Sequence, residues 1–242
     1  MNYAIIAAGE GSRLAKEGFT LPKPMVSLHG EMLIDRLIRI FLNNNPESIH
    51  IIINENSPEL EQHLRKTNFS FPITIVRKST PSSLHSFYEI LQSACELNNL
   101  CLTTTDTVFK ESEFKTYISE FESNKDIEGL MAVTTFIDDE SPLFVHVDSA
   151  FNITGFTDQN HENTSFISGG IYCLRGESLK VAAVSVESGI NRMRNFQRNL
   201  IDNNLKIKAH RFSKIVDVDH VVDIETAELF LLEENEIQIL ST

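Results

Sequence analysis

An α/β fold, with a mostly parallel central sheet between two helical layers and an antiparallel extension, is predicted by three features of the 242-residue sequence. In the first half, short apolar runs bounded by turn residues alternate four times with amphipathic segments at helical spacing. In the second half the pattern becomes short strand-like runs with turn signals between them, and no Pro/Gly/Ser-rich linker divides the two halves. Parallel strands need a crossover that returns the chain to the same edge, which alternating strand and helix supplies. One domain over residues 1–242 is therefore expected.

The elements follow in order. Tyr3 to Ala8 (YAIIAA) is short, apolar and bounded by Gly9, which suits a strand buried on both faces. Met32 to Asn43 places Leu33, Ile34, Leu37, Ile38 and Phe41 on one helical face and stops before Pro46. Ser48 to Ile53 is the second strand, Ser57 to Lys66 a helix with Pro58 in its first turn, and Pro72 to Val76 the third strand. Ser82 or Ser83 can cap a helix whose apolar positions keep a 3.6-residue period through Asn98, and Leu100 to Thr103 is the fourth strand. Beyond it, Gly129 to Thr135, Leu143 to Val147, Asn152 to Phe156 and Phe166 to Leu174 form the antiparallel part. Asn191 to Asn203 is a surface helix, Lys206 to Phe212 a strand, and Thr226 to Glu234 a closing helix.

Composition removes several functional classes. Lys and Arg number 21 against 34 Asp and Glu, a net charge of -13, so the chain lacks the basic footprint that a nucleic-acid backbone requires. No apolar run approaches the roughly 20 residues that cross a bilayer, and the N-terminus enters a strand at once, which points to a cytoplasmic protein. Cys95, Cys101 and Cys173 sit in apolar surroundings without metal-ligand spacing, and are expected to be reduced core residues. The eight histidines form no HExxH.

Against this acidic background, AAGEGSRLAKEGFTLPKPM at Ala7 to Met25 stands out. A glycine-rich turn behind a strand can bring backbone N–H groups against an anion. GxxxxGK[ST] is absent, and GxGxxG fails because Leu14 stands where its third glycine should be. Arg13, Lys16 and Lys23 concentrate positive charge where a polyanion would need it. Arg13 can fork two phosphate oxygens, Lys23 between Pro22 and Pro24 is aimed by an extended backbone, and Lys16 is an ordinary surface lysine. In a parallel sheet the loop at Gly9 and the Asp106 turn would share the carboxyl edge, where such folds bind ligands.

AAGEGSR followed by PKPM resembles the opening signature of the sugar-phosphate nucleotidyltransferases, which join a nucleoside monophosphate to a sugar 1-phosphate or similar acceptor and release pyrophosphate. The resemblance implies a Rossmann-like, three-layer fold of the nucleotide-diphospho-sugar transferase type. It implies that Ala8 and Gly9 face the base, that Gly11 and Ser12 approach the phosphates, that Arg13 binds the triphosphate, and that Lys23 steadies the reacting phosphoryl group. Asp106 in LTTTDTVF is similar to the family's Mg²⁺-holding aspartate, and Asp223 in VDIETAEL to its second metal ligand, with Asp217 and Asp219 close by in VDVDH. Gly170 in SGGIY maps to an acceptor contact, and Ser82 and Ser83 stand where the family contacts the base.

One segment departs from the family pattern. Where a Glu-Lys-Pro triplet often places its lysine on the acceptor phosphate, this chain has Asp158, Gln159 and Asn160. Asp158 stays an acceptor-side candidate, but Gln159 is neutral, so Lys78, Arg175 or a different acceptor must compensate. The resemblance implies a nucleoside triphosphate and a phosphorylated small molecule as partners, with Mg²⁺ as cofactor. Choline phosphate or a molybdopterin-type acceptor, and a catalytically silent nucleotide-binding regulatory domain, are the alternatives.

Overall fold

The computed structural model describes residues 1–94, 97–138, 140–160 and 164–239, with side chains to Glu233, so Cys95 lies outside the described residues. The chain runs β1 (Asn2–Ala7), α1 (Ser12–Lys16), a 3-10 turn (Lys23–Met25), β2 (Ser27–Leu28), β3 (Glu31–Met32), α2 (Leu33–Leu42), β4 (Ser48–Ile53), α3 (Pro58–Lys66), β5 (Ile73–Arg77), α4 (Ser83–Ser93) and β6 (Asn99–Thr104). It continues through β7 (Thr107–Val108), α5 (Glu111–Ser123), β8 (Gly129–Thr134), β9 (Phe144–Val147), β10 (Ile153–Thr157), β11 (Phe166–Arg175), α6 (Glu177–Glu187), α7 (Met193–Asp202), β12 (Ile207–Arg211), β13 (Val216–Asp217) and α8 (Val221–Ile239).

The main sheet has nine strands, in the order β10-β9-β11-β6-β1-β4-β5, with β8 paired to β11 and β12 to β8. Strands β6, β1, β4 and β5 are mutually parallel, and β11 joins them antiparallel to β6. The predicted mixed sheet is thus present, with the change of direction where the sequence pattern changes. All six residues of β1 are buried: Tyr3, Ile5 and Ala7 pack into one apolar layer with α2, α3 and α5, while Ala4 and Ile6 pack into the other with α4, α6 and α7. A strand covered on both faces has no solvated side to mark with polar residues, which is why its sequence is continuously apolar.

That layering fixes where a ligand can enter. From β1 the chain moves through α2 to β4 on one side, while β6, reached through α4 on the opposite face, lies on β1's other side. The carboxyl ends of β1 and β6 therefore diverge and open a crevice, the switch point at which parallel sheets bind ligands.

Several boundaries differ from the sequence expectation. Helix α4 ends at Ser93, with Ala94 extended, and Leu97 keeps its contact with the apolar layer without helical backbone. Helix α8 begins at Val221, five residues before the expected Thr226, because Val221 and Val222 are exposed and leave no apolar periodicity to mark the start. Helices α5 and α6 have no counterpart in the expected elements, although Phe114, Tyr117, Ile118 and Phe121 of α5 lie on one buried stripe. Cys101 and Cys173 are buried opposite each other across the β6–β11 pair, and burial raises the Cys101 thiol pKa.

Candidate active site

At the crevice lies a cavity of about 700 Å³, lined among others by Ala8, Gly9, Gly11, Ser12, Arg13, Lys23, Ser82, Ser83, Asp106 and Asp219. The Gly9 loop and the Asp106 turn, about a hundred residues apart in sequence, do share one edge. Thr105 bonds the end of β1 twice, its N–H to the Ile6 carbonyl at 3.1 Å and its Oγ1 to the same oxygen at 2.9 Å.

Lys23 is the centre of the arrangement. Its ammonium donates to Asp106 Oδ2 and, at 2.5 Å, to Asp219 Oδ1, while Arg13 Nη1 donates to Asp219 Oδ2 at 2.6 Å. Lys23 is 11% exposed and Arg13 47%, so the ammonium sits at the floor and the guanidinium at the rim. Desolvation pulls the Lys23 pKa down, but the Asp106 charge and the hydrogen bonds to both carboxylates outweigh it and hold it above the ordinary lysine value. Desolvation likewise pushes the Asp106 carboxyl up, and the Lys23 charge with hydrogen bonds from Lys23 and Thr104 holds it below the usual carboxylate range.

The backbone explains how Lys23 is aimed. Pro22 is extended at φ −53°, ψ 140°, as expected, but Lys23 itself starts a 3-10 turn, because Met25 N–H reaches the Pro22 carbonyl at 2.8 Å and Val26 N–H that of Lys23 at 3.0 Å. The extended path thus stops at Pro22. Gly11 adopts φ +61° at the start of α1, and a Cβ there would lie 2.9 Å from Lys23 Cβ. Gly11→Ala is therefore expected to push Lys23 off its carboxylates as well as strain the loop, costing about 1–2 kcal/mol of stability. Thermal melts and the affinity for a nucleoside triphosphate, which should fall together, check this.

The three aspartates after β12 separate cleanly. β13 pairs antiparallel with β7, and Val218 N–H bonds the Asp106 carbonyl at 3.0 Å, which sets the next residue, Asp219, beside Asp106. Asp223 is absent from the lining of the cavity; its Oδ2 accepts the N–H groups of Asp219 (2.9 Å) and His220 (2.6 Å) at the start of α8. The expected pairing of Asp106 with Asp223 is thus replaced by Asp106 with Asp219, Asp223 shaping the turn that presents it. Asp217 lies in β13, close enough to Tyr172 to contribute, with burial, to raising its hydroxyl pKa to about 12.

Gly170 sits beside the Asp106 turn outside the cavity lining, at φ +72°, with room for a Cβ only 3.1 Å from Thr107 Oγ1. Asp158 is held by Arg194 Nη1 at 2.6 Å and Arg198 Nη2 at 2.8 Å, farther along the same edge. Ser82 caps α4, accepting His85 N–H at 3.4 Å, and Ser83 opens the helix against the cavity. Lys16 is exposed. Neither of the two cations expected to compensate for Gln159 lines the cavity. Arg175 pairs with Asn99 at the amino end of β6, the opposite edge, with its guanidinium over the Phe121 ring at 3.8 Å, and Lys78 is tied to Glu89 at 2.7 Å.

Sequence reasoning missed Asn54. Its side chain closes the crevice floor, donating to the Ala8 carbonyl (3.1 Å) and accepting from Asn56 N–H (2.8 Å) and Ser79 Oγ (3.0 Å). The available signal was a polar residue directly after the buried run SIHIII, at the same carboxyl edge as Gly9.

A parallel sheet prolonged by antiparallel strands and opened between β1 and β6 defines an α/β protein of the nucleotidyltransferase fold. The chain belongs to the nucleotidyl transferase family, whose model matches residues 3–232. Similar solved structures include the inositol-1-phosphate CTP transferase from T. maritima (TM-score 0.78, 16% identity, covering 94% of each chain) and an apo UDP-glucose pyrophosphorylase (TM-score 0.80, 15% identity, 97% of this chain and 99% of that one). A nucleoside-diphosphate-sugar pyrophosphorylase from Vibrio cholerae RC9 aligns with TM-score 0.70 and 18% identity over 93% and 99% of the two chains. No curated protein matched the sequence.

Proposed function

We propose that this chain, acting as one domain, transfers a nucleoside monophosphate from a nucleoside triphosphate to a sugar 1-phosphate or similar phosphorylated acceptor, releasing pyrophosphate. The observation that carries the proposal is the Lys23 ammonium between the Asp106 and Asp219 carboxylates, with Arg13 on Asp219, at the mouth of the Gly9–Arg13 loop. A phosphate oxygen of the acceptor attacks the α-phosphorus in line; that P–O bond forms as the bond to the β-phosphate bridging oxygen breaks, and pyrophosphate carries away the electron pair. The nucleophile is already an anion, so no general base is required. Catalysis is positioning and charge neutralisation.

The donor set fits Mg²⁺. Two carboxylates already share one cation, the Lys23 ammonium, and Mg²⁺ is commonly held by one or two carboxylates plus substrate phosphates. Among the described residues no group of three or more His, Cys, Asp or Glu side chains could hold a metal ion by itself, so the pair would need the substrate phosphates to complete the coordination. Asp106 and Asp219 would hold the ion, which when bound supplies neutralising charge at the phosphate oxygens. With the carboxylates so occupied, Lys23 and Arg13 would be the cations available to the triphosphate. Ala8 and Gly9 face the base with Ser83 at its side, Gly11 and Ser12 approach the phosphates, and Gly170 borders the acceptor. A cytoplasmic location suits such substrates, and no helix among the described residues is long and apolar enough to cross a membrane.

The test is pyrophosphate release from a panel of nucleoside triphosphates against glucose 1-phosphate, inositol 1-phosphate and choline phosphate, with and without Mg²⁺. Release with one pair supports the proposal. Tight triphosphate binding without release for any acceptor would instead favour a silent regulatory domain, the reading to which the neutral Gln159 points. Arg13→Lys should lower kcat/KM by about 10- to 100-fold, because a bidentate fork becomes a point charge; steady-state kinetics check it.

A further inference from the structure

Arg194 and Arg198, one turn apart on α7, converge on the single carboxylate of Asp158, which is 54% exposed. Stability does not explain this cluster, since exposed ion pairs contribute roughly 0–1 kcal/mol. Two guanidinium groups on one carboxylate leave a residual positive charge at the carboxyl edge of a strongly acidic chain.

The two arginines differ in how far they are committed. Arg198 uses Nε on the Phe156 carbonyl (3.3 Å), Nη1 on Asn195 Oδ1 (2.9 Å) and Nη2 on Asp158. Arg194 binds Asp158 through Nη1 and donates Nη2 to the Ser141 carbonyl at 2.9 Å. Glu140, the residue before Ser141, lies 3.4 Å from Arg13 Nη2. Arg13, in the wall of the Asp106 cavity, and Arg194 therefore contact adjacent residues of one β8–β9 loop. The start of α7 is fixed against β11 as well: buried Gln197 donates Nε2 to Ser168 Oγ at 3.0 Å, two residues before Gly170.

We propose that Arg194 binds the oxyanion of the acceptor, with Asp158 and Arg198 as positioning residues, and that the oxyanion is a phosphate monoester. Arg194 supplies on α7 the positive charge that neutral Gln159 lacks. Asp158 keeps the fork ordered until the acceptor arrives; its hydrogen bond from Arg198 foremost, then that from Arg194, holds it below the usual carboxylate range and so ionised. The proposal rests on the transfer reading above, but part of its test is independent of turnover.

In the full chain, Arg194→Gln is expected to raise KM for a turned-over phosphorylated acceptor by about 10- to 100-fold while KM for the triphosphate moves less than about threefold, the loss of a charge-assisted hydrogen bond to a phosphate. Arg194→Lys should fall between, and Gln159→Lys added to Arg194→Gln should lower the acceptor KM again, a rescue that a merely structural role would not produce. An unchanged acceptor KM overturns the proposal, as does a joint rise of both KM values without that rescue. If the wild type turns over no acceptor, the transfer reading fails and calorimetry decides the subsite. Glucose 1-phosphate binding that weakens in Arg194→Gln supports the subsite. Equal or undetectable binding, or tighter binding of the carboxylate glucuronate than of glucose 1-phosphate, overturns it.

Discussion

Asp106→Asn is expected to lower nucleotidyl transfer by about 10²- to 10³-fold while the protein stays folded, the scale on which removing one electrostatic partner of a phosphoryl-type transition state acts. Asparagine keeps the shape of the side chain and removes its charge, so Lys23 retains Asp219 as a partner and the turn after β6 keeps its backbone bond from Val218. Asp219→Asn should match it in turnover. Asp223→Asn should behave differently: its carboxylate anchors two N–H groups at the start of α8, so the variant should lose about 1 kcal/mol of stability, with a much smaller loss of rate. Pyrophosphate-release rates at saturating Mg²⁺, with denaturant melts of the same three proteins, separate these outcomes. Wild-type turnover in Asp219→Asn beside an inactive Asp223→Asn would return the second carboxylate role to Asp223.

Lys23→Ala is expected to be more damaging to catalysis, by about 10³-fold or more, because it removes a preorganised charge at the reacting phosphates. Its effect on the resting protein carries a definite sign with pH. Asp106 is held below its ordinary range by Lys23, so its stabilising contribution is present above the unfolded carboxylate pKa and is lost as pH falls through the folded value. Lys23 is held above its ordinary value, so its contribution is present below about pH 10.4 and is lost as pH rises through the folded value. The difference in stability between wild type and Lys23→Ala should therefore be full near neutrality and shrink as the medium approaches roughly pH 3–4. Asp219 is 37% exposed, so the neutral-pH difference is discounted for solvent screening to about 1–2 kcal/mol. Urea melts from about pH 7 down to about pH 2, across and below the unfolded carboxylate pKa, measure it. The same variant leaves two carboxylates facing each other without their ammonium, so its affinity for Mg²⁺ alone should rise even as turnover collapses.

Local chemistry accounts for much of what was legible. β1, β4 and the first turn of α3 could be placed within a residue because continuous apolar runs and a proline in a first helical turn depend only on neighbours. The stripe of α5, Phe114, Tyr117, Ile118 and Phe121, is set in a stretch dense with charge that masks its helical period. At the site, the loop with its two cations and the Asp106 turn were legible because an alternating strand and helix pattern places every strand's carboxyl end on one edge.

The sequence thus settled the type of sheet, the edge on which chemistry could gather, and the charged loop that marks it, since these follow from periodicity, turn residues and local charge. Among three aspartates within seven positions it favoured Asp223 over Asp217 and Asp219, and it pointed to Arg175 and Lys78 where the fold brings Arg194 to Asp158. Those choices belonged to the folded chain: the β7–β13 pairing turns Asp219 toward Asp106, strand direction sends Arg175 to the far edge, and α7 docks on β11. Pairing register and helix docking join residues tens to hundreds of positions apart, and no local preference along the chain encodes which of several like side chains will end on the shared face.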